Sequence, residues 1–148
     1  MPAYWLEIIL LLGGLVLLMV EAFVAPKHKV VIVGPALFIM VLTLVLLFFD
    51  LKVDLNNREL SRFIAWDSQA RFFKGITLLA GILTLLLALD YRKILSKFTA
   101  NPGSEDGTGE YYCLILFACA GMMWMASAKD LVSLFVSLEL TTITSYIL

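Results

Sequence analysis

The 148-residue chain has little of what soluble catalysis is built from: one histidine, two cysteines, four prolines and only 16% charged residues. Cys113 and Cys119 lie six positions apart in one apolar segment. On a helix that is about 9 Å along the axis, too far to bridge, and neither has the His or Cys neighbours of a metal site. Both read as packing residues. His28 stands between Lys27 and Lys29 in a short polar link and reads as a solvent-exposed side chain. No glycine-rich nucleotide loop follows a strand, and no cysteine cluster is present to hold iron and sulfur. A net charge of −1 offers no basic field for nucleic acid. The polar stretches are too short to hold a soluble catalytic domain.

What the chain has in abundance is apolar sequence. With 61% hydrophobic residues and a mean hydropathy of +0.96, it carries several apolar runs long enough to cross a bilayer. The expected fold is all-α, a polytopic transmembrane helix bundle with five spans near 4–24, 30–49, 72–89, 111–128 and 131–148, forming a single membrane domain over 1–148. The first run opens with Glu7 rather than a basic region and has no small-residue cleavage site, so it reads as a span and not a signal peptide. Glu7 and Glu21 lie near its opposite ends and read as interfacial carboxylates that reach water. Gly34-Pro35 falls in the first turns of the second span, where a missing backbone donor costs least.

A polar connection, Asp50 to Arg71, contains a weak strand signal at Leu51, Val53 and Leu55, then helical spacing of Leu60, Phe63 and Ile64 beside Trp66. It is expected to lie on the membrane surface. Asp67 and Arg71, four apart, read as an interface anchor, with Arg71 and Lys74 marking the entry to the third span. Asn101-Pro102-Gly103-Ser104 and Gly107-Thr108-Gly109 mark a turn-rich loop before the fourth. The fourth and fifth spans are joined by so few polar residues that they must pair antiparallel. Ala118, Gly121, Ala126 and Ala128 on one, and Ser133, Ser137 and Thr141 on the other, allow close approach of the two backbones.

Glu139 is the residue that asks for a function. Counted from Asp130, it sits about 14 Å into the fifth span, near the middle of a hydrocarbon layer of about 30 Å. An ionisable group at that depth normally faces protein or a water-filled cavity and marks an ion or proton path. The bland alternative is a protonated, hydrogen-bonded packing residue. Glu139 lies in line with Phe135, Thr142 and Tyr146, away from Ser137, so the fifth helix carries polar groups on two faces. Such a helix is expected to be surrounded by protein. With no polar residue after Tyr146 to close that helix, the chain is expected to be the N-terminal part of a longer polypeptide.

Glu110-Tyr111-Tyr112, the run LILFACAGMMWMASAKDLVSLFVSLELTTITSYIL, and Ser137-Leu138-Glu139-Leu140 ahead of Tyr146 resemble the antiporter-like membrane subunits of respiratory complex I. The segment from Asp67 to Lys74 is similar to the same family's entry into its third helix. Leu138, where the L and M branches carry tryptophan, favours the N branch. The resemblance implies a large bundle of two inverted repeats with broken helices and charged residues along the midplane. It also implies that Glu139 relays protons together with lysines on later helices. Those lysines are not in this chain, in which Lys129 is the only lysine after Lys97. The implied mechanism is electrostatic: a carboxylate beside an ammonium stays ionised, and takes a proton when the ammonium withdraws. NAD, FMN, iron-sulfur clusters and quinone are implied for other subunits, with no cofactor in this chain. The implied partners are other membrane subunits of the complex and the lipid bilayer, with no nucleic acid or directly bound soluble substrate. The implied location is the cell inner (plasma) membrane, or an organelle inner membrane or thylakoid. A cation/proton antiporter subunit, a membrane-bound hydrogenase subunit and a non-transporting scaffold remain open as alternatives.

No Lys or Arg precedes the first span, whereas Lys27 and Lys29 follow it, which predicts an outer N-terminus. Cysteine labelling tests this. A probe at Ser104 is expected to stay unreactive in intact cells, and reaction there would reverse the orientation.

Overall fold

A computed structural model describes residues 5–23, 32–49, 64–65, 67–98 and 108–148, and for 92–98 and 108 the backbone alone. The expectations for His28 and its lysines, for the strand signal at Leu51 to Leu55, for Leu60, Phe63 and Trp66, and for the turns between Asn101 and Gly107 lie outside the described residues. Five helices follow one another: α1 (Trp5–Phe23), α2 (Val33–Phe48), α3 (Ser68–Phe98), α4 (Thr108–Ser127) and α5 (Leu131–Ile147). Stretches of α1, α3 and α4 are long and apolar enough to cross a membrane, while α2 and α5 are shorter apolar helices of 16 and 17 residues. At 1.5 Å per residue, α2 and α5 reach about 24–26 Å, a little short of the hydrocarbon thickness. Pro35 sits in the first turn of α2, where its missing N–H breaks no helical bond. Helix α3 runs on past the expected end of the third span, through Asp90 and Tyr91 to Phe98.

The bundle is arranged around α4. It is the one helix that packs against all four others, and α5 packs against α4 alone among the described helices. The sequence of α4 suits that position, because its apolar residues are spread round the helix instead of forming a single stripe. Tyr112, Cys113, Leu116, Cys119, Ala120 and Met123 are almost wholly enclosed. Both cysteines are free and buried, as packing residues should be. Against this core lie Leu10 of α1, Met40 of α2, and Leu78 and Leu85 of α3, all fully buried. The outward faces of α1, α2 and α3 carry Leu, Val, Ile and Phe side chains that suit hydrocarbon as surroundings.

The pairs α1–α4, α2–α3 and α4–α5 run antiparallel, and the contacts give the register. Along α1 and α4, Glu7 meets Ser127, Gly14 meets Phe117, and Glu21 meets Gly109. Along α2 and α3, Leu47 meets Gly75, and Met40 meets Gly81. The α4–α5 pair closes at Gly121, where an added Cβ would stand 2.5 Å from Thr141 Oγ1 and 3.1 Å from the Thr141 backbone nitrogen. The stripe of small residues read from the sequence therefore does bring these two backbones together, at Gly121, Ser137 and Thr141.

Gly121→Ala is accordingly expected to destabilise the protein by about 1–3 kcal/mol, since the backbone of α5 must move to admit the methyl group. Gly34 has nothing within 4 Å of an added Cβ, so Gly34→Ala is the matched control with little cost. Unfolding midpoints of the membrane-extracted variants measure both.

Candidate functional site

Glu139 occupies the middle of the seventeen residues of α5, about 12 Å from the first. It is half-buried, and the outer side of its helix is open, with Phe135 and Tyr146 exposed. The opposite side, with Ser137 and Thr144 buried, is the one that meets α4. The two-faced character read from the sequence is thus present. The hydroxyl groups of α5 look after themselves. Ser137, Thr141, Thr142, Thr144 and Ser145 each donate to the carbonyl four residues back, at 2.7–2.9 Å. Glu139 makes no such bond. Among the described residues, no hydrogen bond or ion pair to it is found.

A second ionisable group of residues lies at the other side of α4. Glu7, in the first turn of α1, and Lys74, in the second turn of α3, form an ion pair of 2.5 Å between Glu7 Oε1 and Lys74 Nζ. Their side chains are 1% and 0% exposed, which rules out the interfacial reading of Glu7. Ser127, the last residue of α4, brings its hydroxyl to 3.4 Å from the same Glu7 oxygen. The carbonyl of Ser127 accepts the N–H of Ala65 at 2.6 Å, and Ile64 pairs with Ala128 as an antiparallel bridge. The segment leading into α3 is therefore fastened to the turn between α4 and α5, directly beside the ion pair. The start of α1, the start of α3 and the end of α4 lie at one end of the bundle, as the antiparallel register requires.

Two expectations are corrected here. Glu7 and Glu21 do not reach water; Glu21 is 4% exposed and packs against Gly109. Both carboxyls stand on the α1 face that α4 covers, so nearness to a helix end in sequence does not translate into exposure. Lys74, read as marking the entry to the third span, is a buried partner of Glu7. Asp67 is exposed just outside α3 and its carbonyl accepts the Arg71 N–H at 3.0 Å, consistent with an anchor at the foot of the helix. The structure does not bring Glu139 to Glu7 or Lys74: α5 touches neither α1 nor α3. Among the described residues no group of three or more His, Cys, Asp or Glu side chains is placed to hold a metal ion.

The ion pair carries a stability prediction. Lys74→Met alone leaves a buried carboxylate without its counter-charge and is expected to cost about 3–5 kcal/mol, whereas Glu7→Leu with Lys74→Met leaves no charge and should cost less. Unfolding midpoints of the single and double variants measure the difference, and additive losses would contradict it.

Comparison with known proteins places the chain among membrane subunits of electron-transfer complexes. It is 40% identical over 113 residues to the NADH-quinone oxidoreductase subunit N of Heliobacterium modesticaldum, which covers 76% of this chain and 22% of that protein. It is 37% identical over 142 residues to subunit N 2 of Rhizobium meliloti, covering 96% of this chain and 27% of the relative. It is also 30% identical over 149 residues to the F(420)H(2) dehydrogenase subunit N of Methanosarcina mazei, covering 96% and 28%. The chain thus spans about a quarter of the length of these curated relatives. No family model and no solved structure matches it.

Proposed function

We propose, for a chain that belongs by sequence to the subunit N family of NADH-quinone oxidoreductases, that it is part of a proton-translocating membrane-arm subunit in which Glu139 takes up and gives up the proton. The observation that carries this reading is the placement of a carboxyl group at the centre of α5, on a helix where the hydroxyls of Ser137, Thr141, Thr142, Thr144 and Ser145 are already satisfied. In a medium that cannot solvate charge, such a group needs partners from protein or from a cavity, and its charge state responds to whatever cation approaches it. An ammonium group beside Glu139 holds it ionised. Withdrawal of that ammonium lets the carboxylate accept a proton, and its return drives the proton off.

The redox chemistry belongs elsewhere in this reading. Other subunits carry NAD, FMN, iron-sulfur clusters and quinone, and the chain's own partners are neighbouring membrane subunits and the bilayer of the cell inner membrane. The F(420)H(2) dehydrogenase relative supports this division, since a similar chain is named as part of a complex with a different electron donor. A cation/proton antiporter or hydrogenase membrane subunit would use Glu139 in the same way.

Glu139→Gln tests the proposal in the assembled complex. Glutamine keeps the size and hydrogen-bonding capacity of the neutral acid and removes the titratable proton. Proton pumping per electron is expected to fall while subunit content and electron transfer hold; Glu139→Ala is expected to lower subunit content as well. A Glu139→Gln complex with normal content, normal electron transfer and an undiminished proton gradient would leave Glu139 as a packing residue.

A further inference from the structure

We infer that Glu7 is a second proton-accepting site in this membrane segment, separate from Glu139, with Lys74 as its fixed counter-charge and Ser127 as a donor that can let go. The inference rests on the reading of the chain as part of a proton-moving unit. It concerns different helices and a different end of the bundle.

The first observation is how unevenly Glu7 is bound. A carboxylate offers about four lone-pair sites on two oxygens. Here Lys74 and Ser127 both engage Oε1, while Oε2 is buried with no hydrogen-bond partner among the described residues. A link that served only to hold helices together would gain from engaging both oxygens, because an unsatisfied oxygen in an apolar interior is costly. The free oxygen is where a proton can add. The step is simple: one O–H bond forms at Oε2, none breaks, Lys74 remains an ammonium, and the site passes from net zero to net +1.

The second observation is the hydroxyl of Ser127. It has a single hydrogen and three acceptors within reach: Glu7 Oε1 at 3.4 Å, and the carbonyls of Met123 and Trp124 at 3.2 Å each. Once Glu7 is protonated, its need for a donor falls, and Ser127 can turn to its own helix without being left unpaired. On loss of the proton it turns back. The change requires one rotation about a single bond and no movement of backbone.

The third is location. Ser127 ends α4, and Ala65 is fastened to its carbonyl, so the site lies one turn from the end of the bundle. Among the described residues, the other charged groups at this end are Asp67 and Arg71 on or before α3, and Lys129 and Asp130 after α4; α2 carries none. Protons from the aqueous side have a short distance to cover here, whereas Glu139 is at mid-depth.

The test is chemical and uses the unmodified complex. Dicyclohexylcarbodiimide, an apolar reagent, adds a protonated carboxyl across its C=N bond and rearranges to a stable N-acylurea with no leaving group; a carboxylate held ionised beside an ammonium is passed over. Peptide mass spectrometry of complexes treated during turnover is expected to find Glu7 modified, and more so than in complexes treated without electron donor. Glu7 left unmodified, under conditions that modify other membrane carboxyls, would overturn the inference. The double variant Glu7→Gln with Lys74→Gln removes both charges together, so neither is left buried alone. Its pumping per electron is expected to be at least halved at normal electron transfer, and pumping equal to the parent would also overturn it. A silent Glu139→Gln together with Glu7 labelling would sink the role given to Glu139 and leave this one standing.

Discussion

The central place of α4, packed against all four of the other described helices, is the constraint from which the rest of the bundle follows. In hydrocarbon, helices gain little from being apolar, so they associate through close packing and the satisfaction of polar groups. A central helix must therefore offer small residues where neighbours press and fill space elsewhere. α4 does this with Gly109 against Glu21, Gly121 against Thr141, and Tyr112, Leu116 and Met123 in the gaps. The other helices take their register from it. Because α1 and α5 both meet α4 antiparallel, on different sides, the charged residues they carry are held apart by the width of a helix.

Polar side chains in this bundle fall into two kinds. The hydroxyls of Thr43, Thr77, Thr84 and of the row along α5 return their hydrogen to the carbonyl four residues earlier, which lets them sit anywhere on a membrane helix. Carboxyl and ammonium groups have no such local solution. Glu7 and Lys74 solve the problem by meeting across a helix boundary, each beside a group of opposite sign. Glu139 is the group for which the described residues offer no such partner, and that asymmetry is the reason for assigning it a moving charge.

The arrangement of helices was largely legible from hydropathy. Apolar runs of spanning length, Gly34-Pro35 at a helix start and a three-residue turn after Ser127 are local signals, and a helix's own neighbours decide them. The close approach at Gly121 was legible for the same reason: small residues at four-residue spacing on Ser133, Ser137 and Thr141 describe one face of one helix. The Glu7–Lys74 pair was not read, because periodicity within a segment says nothing about which face another segment will cover. A signal was nevertheless present. Both residues lie a turn or two inside apolar runs that begin at the same side of the membrane, since two crossings separate them, and opposite charges so placed can meet. The mid-helix position of Glu139 was plain from counting. What stands beside its carboxyl group is a matter of which segments pack there, which counting along a helix does not give.

The close approach in the α4–α5 seam has a geometric meaning for the carboxyl group beside it. Gly121 admits Thr141 near the middle of α5, and Glu139 lies only two residues from that contact. A turn of α5 about this point would displace the helix ends more than the carboxyl group, which would mainly change direction. Small rotations there redirect a charge without carrying it far, a motion of low cost in a medium that resists every displaced charge.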